Sequence, residues 1–387
     1  MTHPAAASGW SRRLSPTSVV VLLGGPSAEH DVSVVSGFAV ARALADRGHP
    51  VRVWHIGLDG GWWSLPTELT DAPPDARALD DPAAVGATGP LAAAAALEAI
   101  ASSVARPVVF PVLHGPFGED GTVQALVGSA GLACCGSGVA ASAVGMDKTL
   151  CKRVCQSVGL PVLPWVDIGA LDWRDRRREL LAELEAFATR QADPRLVVKP
   201  ARLGSSIGIG IVHRPDEPPE LEEAIEVALA HGDLALAEPY LDHPRELEVA
   251  LVGEGRHDLE AFGPGEVLPG REFYDFEAKY RSDASRTLVS PELEPALATE
   301  VRRLAAEAFL AIGGSGFARV DFLMGRDGAI WLSEVNTIPG CTPISLFPML
   351  VAAAGHDFGE LCERIVALAL EREAVAPTRR LHRADLP

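Results

Sequence analysis

An apolar run that ends in glycine is the feature that most limits how this chain can fold. SVVVLLGG at residues 18–25 is typical of a buried strand, and the segment after it has the pattern of a polar loop and a helix. PVRVWHIG at residues 50–57 then predicts a second strand. A strand, a helix and a further strand form a βαβ unit, so we expect an α/β fold with a parallel sheet.

Composition limits the partners of the chain. The 387 residues are enough for two or three domains, and the formal net charge of −18 speaks against a general affinity for nucleic acid or anionic membranes. No apolar run reaches transmembrane length, and the first residues lack the apolar core of a secretory signal. Six cysteines without a zinc-like spacing favour a reduced, cytoplasmic protein.

Changes of pattern divide the chain into three segments between two tails. A stretch near the third quarter, GREFYDFEAKYRSDASR, is polar and aromatic without a clear period, and it is expected to be a long functional loop. The expected units are a first domain at 18–135, a central unit at 136–232, a C-terminal unit at 233–373, and flexible tails at 1–17 and 374–387.

Two strand-like runs in the C-terminal unit carry polar residues on one face. Because side chains alternate along a strand, Arg319 shares a face with Asp321, and Glu334 shares one with Asn336. Asp-Gly at 327–328 predicts a two-residue hairpin turn, which would place Asp321 opposite Glu334 and Arg319 opposite Asn336. Two opposed carboxylates and an amide oxygen suit Mg²⁺ shared with substrate phosphates. The alternative is a solvated sheet face, but incidental charges need not align in register.

Lysine is rare in this chain. Of 34 basic side chains only four are lysine, namely Lys148, Lys152, Lys199 and Lys279. Lysines retained in an arginine-rich chain favour sites that need a compact ammonium group. The alternative is a codon bias, which accounts easily for Lys152 and less well for the other three.

A loop rich in glycine and serine follows the strand that ends at Lys199. Backbone N–H groups of ARLGSSIGIG can cradle a phosphate, although the loop matches neither the Walker A pattern nor the dinucleotide fingerprint. An ordinary hairpin turn explains the loop equally well.

Glu238 and Glu246 lie at the ends of neighbouring strands, where they can accept hydrogen bonds from a ribose or an adenine amine. For either acid alone, a solvated strand end is the simpler interpretation.

Two polar residues of the first domain follow apolar strands. Glu29 and His114 lie where ligands of parallel sheets bind, beyond the carboxyl ends of the strands. The alternatives are an acid favoured at a helix N-terminus for Glu29 and a structural histidine for His114.

The aromatic loop carries Lys279 and Tyr280. It can close over a site, or it is a disordered surface loop.

In order, these segments resemble the motifs of D-alanine–D-alanine ligases, which belong to the ATP-grasp superfamily. The likeness spans about residues 18–372 and includes VVFPVLHGPFGEDGTVQ, GSGVAASAVGMDK, VVKPARLGSSIGI, EFYDFEAKY, GFARVDF and EVNTIPGCTPIS. It implies three domains, an N-terminal Rossmann-like parallel sheet and two ATP-grasp subdomains. It also implies a cytoplasmic homodimer that uses ATP and two Mg²⁺ ions, with Mn²⁺ as a substitute, to join two D-alanines through an acyl phosphate for peptidoglycan synthesis.

The resemblance implies a role for each candidate residue. Nucleotide contacts are implied for Lys148, Lys199, Ser206, Glu238, Glu246 and Lys279. Metal binding is implied for Asp321, Glu334 and Asn336. Catalytic or positioning roles are implied for Glu29, Ser205, Tyr280 and Arg319, and substrate contacts for His114, Gly340, Ser345 and Leu346.

Departures from the family pattern leave the second substrate open. Cys341 replaces an aromatic residue common in the family and is expected to alter a wall near the second substrate. One alternative is therefore a relative that joins D-alanine to another D-amino or hydroxy acid, in resistance or secondary metabolism. Tyr280 speaks against a D-lactate product, since relatives that accept D-lactate tend to have phenylalanine there. A non-catalytic nucleotide-binding protein is the third possibility, and the intact polar set on the hairpin speaks against it.

Overall fold

The computed structural model describes residue 10 and residues 13–103, 107–268 and 286–375, which form three sheets with helices around them. Lys279 and Tyr280 lie outside the described residues. The first sheet has the order β4-β3-β2-β1-β5-β6, with parallel pairing from β2 through β1 and β5 to β6. Its strands are β1 (Val19–Gly24), β2 (Val51–Ile56), β3 (Trp62–Ser64), β4 (Thr88–Leu91), β5 (Val108–Pro111) and β6 (Ala133–Cys134).

The other two sheets are antiparallel. The second sheet has the order β7-β10-β8-β9 and the third the order β13-β12-β11-β14-β15. Their strands are β7 (Val166–Gly169), β8 (Leu196–Pro200), β9 (Gly210–Val212), β10 (Leu234–Pro239), β11 (Arg245–Gly253), β12 (Glu260–Leu268), β13 (Arg286–Leu288), β14 (Gly316–Met324) and β15 (Ile330–Asn336). One parallel sheet region beside two antiparallel sheets confirms the expected α/β class with α+β parts.

Helices cover these sheets and connect them. They are α1 (His30–Asp46), α2 (Ala93–Ser103), α3 (Thr122–Ser129), α4 (Val139–Met146), α5 (Lys148–Ser157), α6 (Ala170–Thr189), α7 (Pro218–Leu229), α8 (Pro295–Ala311), α9 (Leu346–Ala353) and α10 (Phe358–Val375). Short 3₁₀ helices at Thr67–Thr70, Ala76–Asp80 and Pro82–Val85 precede β4. No helix in the described ranges is long and apolar enough to cross a membrane.

The last helix closes the core of the first domain. Apolar residues of α10, such as Leu361 and Val366, are fully buried in one cluster with Leu23 and Phe110 of the first sheet. The C-terminal segment therefore packs against the N-terminal sheet. This packing fixes the first sheet relative to the loop between β15 and α9, where substrate contacts were expected.

Helix α1 approaches β1 closely because its facing residue has no side chain. A Cβ atom on Gly37 would lie 2.5 Å from the Cβ atom of Leu23. Real Cβ contacts are longer, so only glycine allows this spacing at the helix–strand contact. The close contact holds the start of α1, and Glu29 just before it, beside the carboxyl end of β1.

The structure differs from several expectations. The predicted helical stretch at 138–159 is two helices, because Asp147 adopts an extended backbone and caps α5 with its side chain. Within residues 1–17, Trp10 stacks on His356, and Leu14 donates its N–H to Glu363. Strand β12 was not predicted.

Candidate active site

Two adjoining cavities lie where the three sheets meet. One, of about 780 Å³, lies between the second and third sheets. The other, of about 640 Å³, lies between the first domain and the third sheet. Lys148, Ser205, Glu248 and Glu334 line both cavities, so a ligand in one is adjacent to a ligand in the other. This arrangement suits a reaction between two bound molecules.

The larger cavity brings together most of the residues expected to contact a nucleotide. Lys148 begins α5 and reaches the third sheet, where its Nζ lies 3.1 Å from Glu334 Oε2. The left-handed backbone of Ser205 and Ser206, with φ of 53° and 56°, turns the glycine- and serine-rich loop over this cavity. The residues expected at the nucleotide that line it are Lys148, Lys199, Ser206, Glu238 and Glu246.

A buried ion pair joins the two central strands of the second sheet. Lys199 lies opposite Leu236, and Glu238 lies opposite Val197, so the two charged side chains are diagonal neighbours on one sheet face. Lys199 Nζ donates to Glu238 Oε1. Burial opposes the charge on Glu238, but the ammonium groups of Lys199 and Lys152 outweigh it and lower its pKa to about 2. Glu238 is therefore ionised at neutral pH, whereas burial lowers the pKa of Lys199 from its usual value.

Lys152 was not among the predicted site residues, since codon bias accounts for it easily in the sequence. Its side chain is 3% exposed, and its Nζ lies 2.9 Å from Glu238 Oε2. The same ammonium group donates to Leu163 O at 3.2 Å and lies 5.5 Å from the centre of the Trp165 ring. A usable signal was present, because Lys148 and Lys152 are four residues apart and share one face of the predicted helix.

The hairpin of the third sheet holds the expected polar set in register. Asp321 pairs with Glu334 and Arg319 pairs with Asn336, as predicted. The predicted two-residue turn is wrong: Gly325 donates to Ala329 O at 2.9 Å, leaving three residues at the tip. A β-bulge beside Asp321 and Glu334 shifts the register back by one residue. The two deviations cancel, which is why the predicted pairing holds at the polar residues.

Arg319 is the central cation of this set. Its Nε and Nη2 each donate to the Asp321 carboxylate at 2.7 Å, and its Nε lies 3.1 Å from Glu248 Oε2. Burial opposes this charge, but the carboxylates of Asp321 and Glu248 outweigh it and raise the pKa of Arg319 well above its usual value. Glu248 was not predicted, although it shares a strand face with Glu246, two residues earlier.

The donor set on the hairpin fits Mg²⁺ if phosphate oxygens complete the coordination. Asp321 and Glu334 are directly opposed, and Asn336 Nδ2 donates to Asp321 Oδ2 at 2.9 Å. Carboxylate and amide oxygens are the ligands that Mg²⁺ prefers, and Mg²⁺ commonly shares substrate phosphates. In the described part of the chain no three His, Cys, Asp or Glu side chains are grouped to hold a metal ion. A metal here therefore needs oxygen atoms from a ligand.

The smaller cavity is bordered by a contact between the first domain and the glycine- and serine-rich loop. Ser205 donates its hydroxyl hydrogen bond to Glu29 Oε1, and the Glu29 carboxylate is buried. A Cβ atom on Gly115 would lie 2.7 Å from Glu29 Oε2, and one on Gly204 would lie 3.2 Å from the same oxygen. Both glycines therefore let the backbone pass close to the carboxylate.

The buried carboxyl group of Glu119, which was not predicted, connects two walls of this cavity. Glu119 accepts hydrogen bonds from Gly115 N at 2.8 Å and Ile338 N at 3.0 Å. Next to it, His114 Nδ1 lies 2.9 Å from Ile338 O, which fixes the donating tautomer. Burial lowers the pKa of His114, so its imidazole is neutral. These bonds join the end of the first sheet to the loop after β15.

The expected second-substrate residues line the same cavity. They include Gly340, Ser345 and Leu346, and Ser345 is the N-cap of α9. Its side chain caps no backbone N–H of α9, which leaves the helix start able to bind an anion. Cys341 does not line the cavity, contrary to expectation. Its side chain is buried in the core, where burial raises its pKa to about 12.

The family models decide how this chain is classified. The model described as D-ala D-ala ligase N-terminus matches residues 18–137, and the model described as D-ala D-ala ligase C-terminus matches residues 154–367. The chain belongs to the D-alanine–D-alanine ligase family. The resemblance seen in the sequence is thereby confirmed.

Curated relatives agree with this assignment over nearly the whole chain. A D-alanine–D-alanine ligase from Treponema pallidum (strain Nichols) is 41% identical over 363 residues, which cover 92% of this chain and 89% of the relative. The D-alanine–D-alanine ligase from Listeria innocua is 35% identical over 370 residues, covering 92% and 96%.

Solved structures share the fold. The D-alanine-D-alanine ligase from Coxiella burnetii has a TM-score of 0.76 and 28% identity, covering 93% of this chain and 96% of its own. The VanG D-Ala:D-Ser ligase from Enterococcus faecalis also has a TM-score of 0.76, with 26% identity, covering 92% and 100%. The expected ATP-grasp fold is confirmed. Because the two TM-scores are equal, the structural comparison does not indicate which second substrate this chain uses.

Proposed function

We propose that this chain joins two D-alanine molecules at the expense of ATP, yielding D-alanyl-D-alanine, ADP and phosphate for peptidoglycan precursors. The observation that carries the proposal is the meeting of the two cavities at Lys148 and Glu334. The larger cavity would hold ATP and the smaller one both D-alanines. The γ-phosphate would then lie at the junction, beside the polar set of the hairpin.

In the first step a carboxylate oxygen of the first D-alanine attacks the γ-phosphorus, and the bond to ADP breaks with its electron pair leaving on ADP. The product is an acyl phosphate. Lys148 and Lys199 would offset the charge on the phosphates, and Lys279 joins them by family resemblance. Asp321, Glu334 and Asn336 would hold Mg²⁺ or Mn²⁺, and the family resemblance implies two ions. The bound metal would neutralise further charge on the phosphates.

The first D-alanine would be bound through its ammonium group. Glu29 is the buried carboxylate of the smaller cavity that lies at the carboxyl end of β1, and Ser205 holds one of its oxygens. The family resemblance adds Tyr280 to this pair as a contact of the lid. His114, which is neutral, would border this substrate without adding charge.

In the second step the ammonium group of the second D-alanine loses a proton to solvent, and the free amine attacks the carbonyl carbon. The nitrogen of the tetrahedral intermediate then loses a second proton, and phosphate leaves with the electron pair of the broken carbon–oxygen bond. Arg319 and the Gly340 N–H would stabilise the oxyanion, as preorganised donors do in a buried site. The start of α9, at Ser345 and Leu346, would bind the carboxylate of the second D-alanine. We also propose, from the family resemblance and the use of ATP, that the enzyme is a cytoplasmic homodimer.

Transfer of an oxygen label tests this mechanism. D-Alanine labelled with ¹⁸O in its carboxyl group should pass one ¹⁸O atom to the released phosphate, because the acyl phosphate breaks at its carbon–oxygen bond. Unlabelled phosphate formed together with the dipeptide would contradict the acyl-phosphate route.

A second candidate is ligation of D-alanine to another D-amino or hydroxy acid. The structural likeness to a D-Ala:D-Ser ligase favours keeping it. The loop at 340–349 would decide between them, because it borders the position of the second substrate.

A further inference from the structure

Lys152 lies behind the larger cavity and does not line it. Its ammonium group is enclosed by Glu238, the Leu163 carbonyl and the Trp165 ring, at 2.9, 3.2 and 5.5 Å. These three partners all belong to the protein itself. Lys199 differs, because it lines the cavity and is bound to the other oxygen of Glu238.

The carboxylate of Glu238 is thus shared by two buried lysines, of which Lys199 lines the cavity and Lys152 does not. If Lys199 were its only partner, moving Lys199 toward a phosphate would leave Glu238 as an unpaired buried anion. An unpaired buried charge is strongly unfavourable. Lys152 removes this obstacle, because it neutralises the second oxygen of Glu238 whether or not Lys199 remains.

We propose that Lys152 is a positioning residue that keeps Glu238 neutralised, so that Lys199 is free to leave Glu238 for the phosphates of ATP. This rests on the proposed role of Lys199 as a phosphate contact. The ligand chemistry concerned is the polyphosphate of a nucleotide. A contact of Glu238 with adenine or ribose is common to ATP and adenosine, so the ratio of the two affinities reports the phosphate contribution alone.

Titration calorimetry of the full chain with ATP and with adenosine tests the proposal. In Lys152→Met the preference for ATP over adenosine should fall about tenfold, the size expected when a hydrogen bond to a charged group is lost. Arg153→Met is the matched control, since Arg153 is the next residue of α5 and its side chain is 53% exposed. It should leave the preference unchanged. Equal weakening of ATP and adenosine in Lys152→Met, or no change in either, would overturn the proposal.

Lys199→Met separates this inference from the assignment beneath it. That variant should lose the preference for ATP directly. If it keeps the preference of the wild type, the phosphate role of Lys199 is wrong and the Lys152 proposal falls with it. If only Lys152→Met fails to change the preference, the Lys152 proposal alone is wrong.

A thermal-melting comparison covers the case in which Lys152→Met folds poorly. Lys152→Met should lower the melting temperature of the wild type but raise that of Glu238→Gln, where two buried cations no longer share a carboxylate. A role confined to the contacts with Leu163 and Trp165 predicts a lower melting temperature in both backgrounds, and that result would overturn the proposal.

Discussion

Asp321 and Glu334 lie opposite each other on β14 and β15, and each is paired with a cation from a different part of the chain. Asp321 is bound by Arg319 from its own strand, whereas Glu334 is bound by Lys148 from the start of α5. The two acids are close without repelling because each is neutralised. A metal bound with ATP would take over part of this neutralisation and leave both cations available to the substrates.

Asp321→Asn should abolish ADP formation while the protein stays folded. The amide removes one of two carboxylates proposed to hold Mg²⁺, so the rate should fall by about 10²-fold or more. Asp327→Asn in the same hairpin is the control, because an asparagine oxygen can still accept from Ala329 N as Asp327 does. A coupled ADP assay and a thermal melt measure both variants. Full activity in Asp321→Asn would remove the metal assignment.

The stability of the protein should depend on Glu119 in a pH-dependent way. Burial and the nearby Glu29 charge raise the pKa of Glu119 from 4.5 to about 8. A group whose folded pKa is raised stabilises the fold fully below its unfolded pKa, and that contribution is lost as the pH rises through the folded pKa. Between about pH 4.5 and pH 8 the wild type should therefore lose up to about 4 kcal/mol relative to Glu119→Gln.

Urea unfolding of both proteins at several pH values measures this difference. A constant difference between wild type and Glu119→Gln across the range would show that Glu119 stays ionised in the folded state. The variant should also raise the KM for the second D-alanine more than the KM for ATP, because Glu119 holds the backbone at Ile338.

Gly37→Ala should destabilise the first domain. The added Cβ atom would lie 2.5 Å from Leu23 Cβ, so α1 must shift on β1, at a cost of about 1–3 kcal/mol. Gly128→Ala in α3 is the matched control, because its Cβ atom would meet nothing within 4 Å. Alanine has the better helix propensity there, so Gly128→Ala should be neutral or stabilising. Equal melting temperatures for the two variants would contradict the close packing of α1.

Tyr280→Phe should raise the use of D-lactate relative to D-alanine. The basis is the family resemblance alone, since Tyr280 lies outside the described residues. Competition between the two acids, followed by mass analysis of the products, measures the ratio. An unchanged ratio would count against a role for Tyr280 in selecting the second substrate.

The sequence was sufficient for features set by local pattern. The βαβ unit at β1 and β2 follows from apolar runs around an amphipathic segment, and the parallel pairing was found as predicted. The pairing of Asp321 with Glu334 was also predicted, although for an incomplete reason. The turn has three residues at its tip, and the bulge that compensates for it has no strong sequence signal.

Features that depend on contacts distant along the chain were not predictable. Glu119 binds the N–H of Ile338, which is 219 residues away, and no spacing rule connects them. Lys152 lies one helical turn after Lys148, and that spacing indicates its helix face but not its partner Glu238 on a distant strand. Cys341 was expected to border the second substrate because of its place in the family motif. Sequence order alone does not show that its side chain turns into the core.

Identification of the reaction product is the decisive test of the proposed ligase function. The purified protein would be incubated with ATP, Mg²⁺, and a panel of D-amino acids and D-lactate, with products identified by mass and ADP measured in parallel. We expect D-alanyl-D-alanine as the main product. A mixed dipeptide or depsipeptide as the main product would move the function to the second candidate. No ADP with any acid would contradict the proposed ligase function.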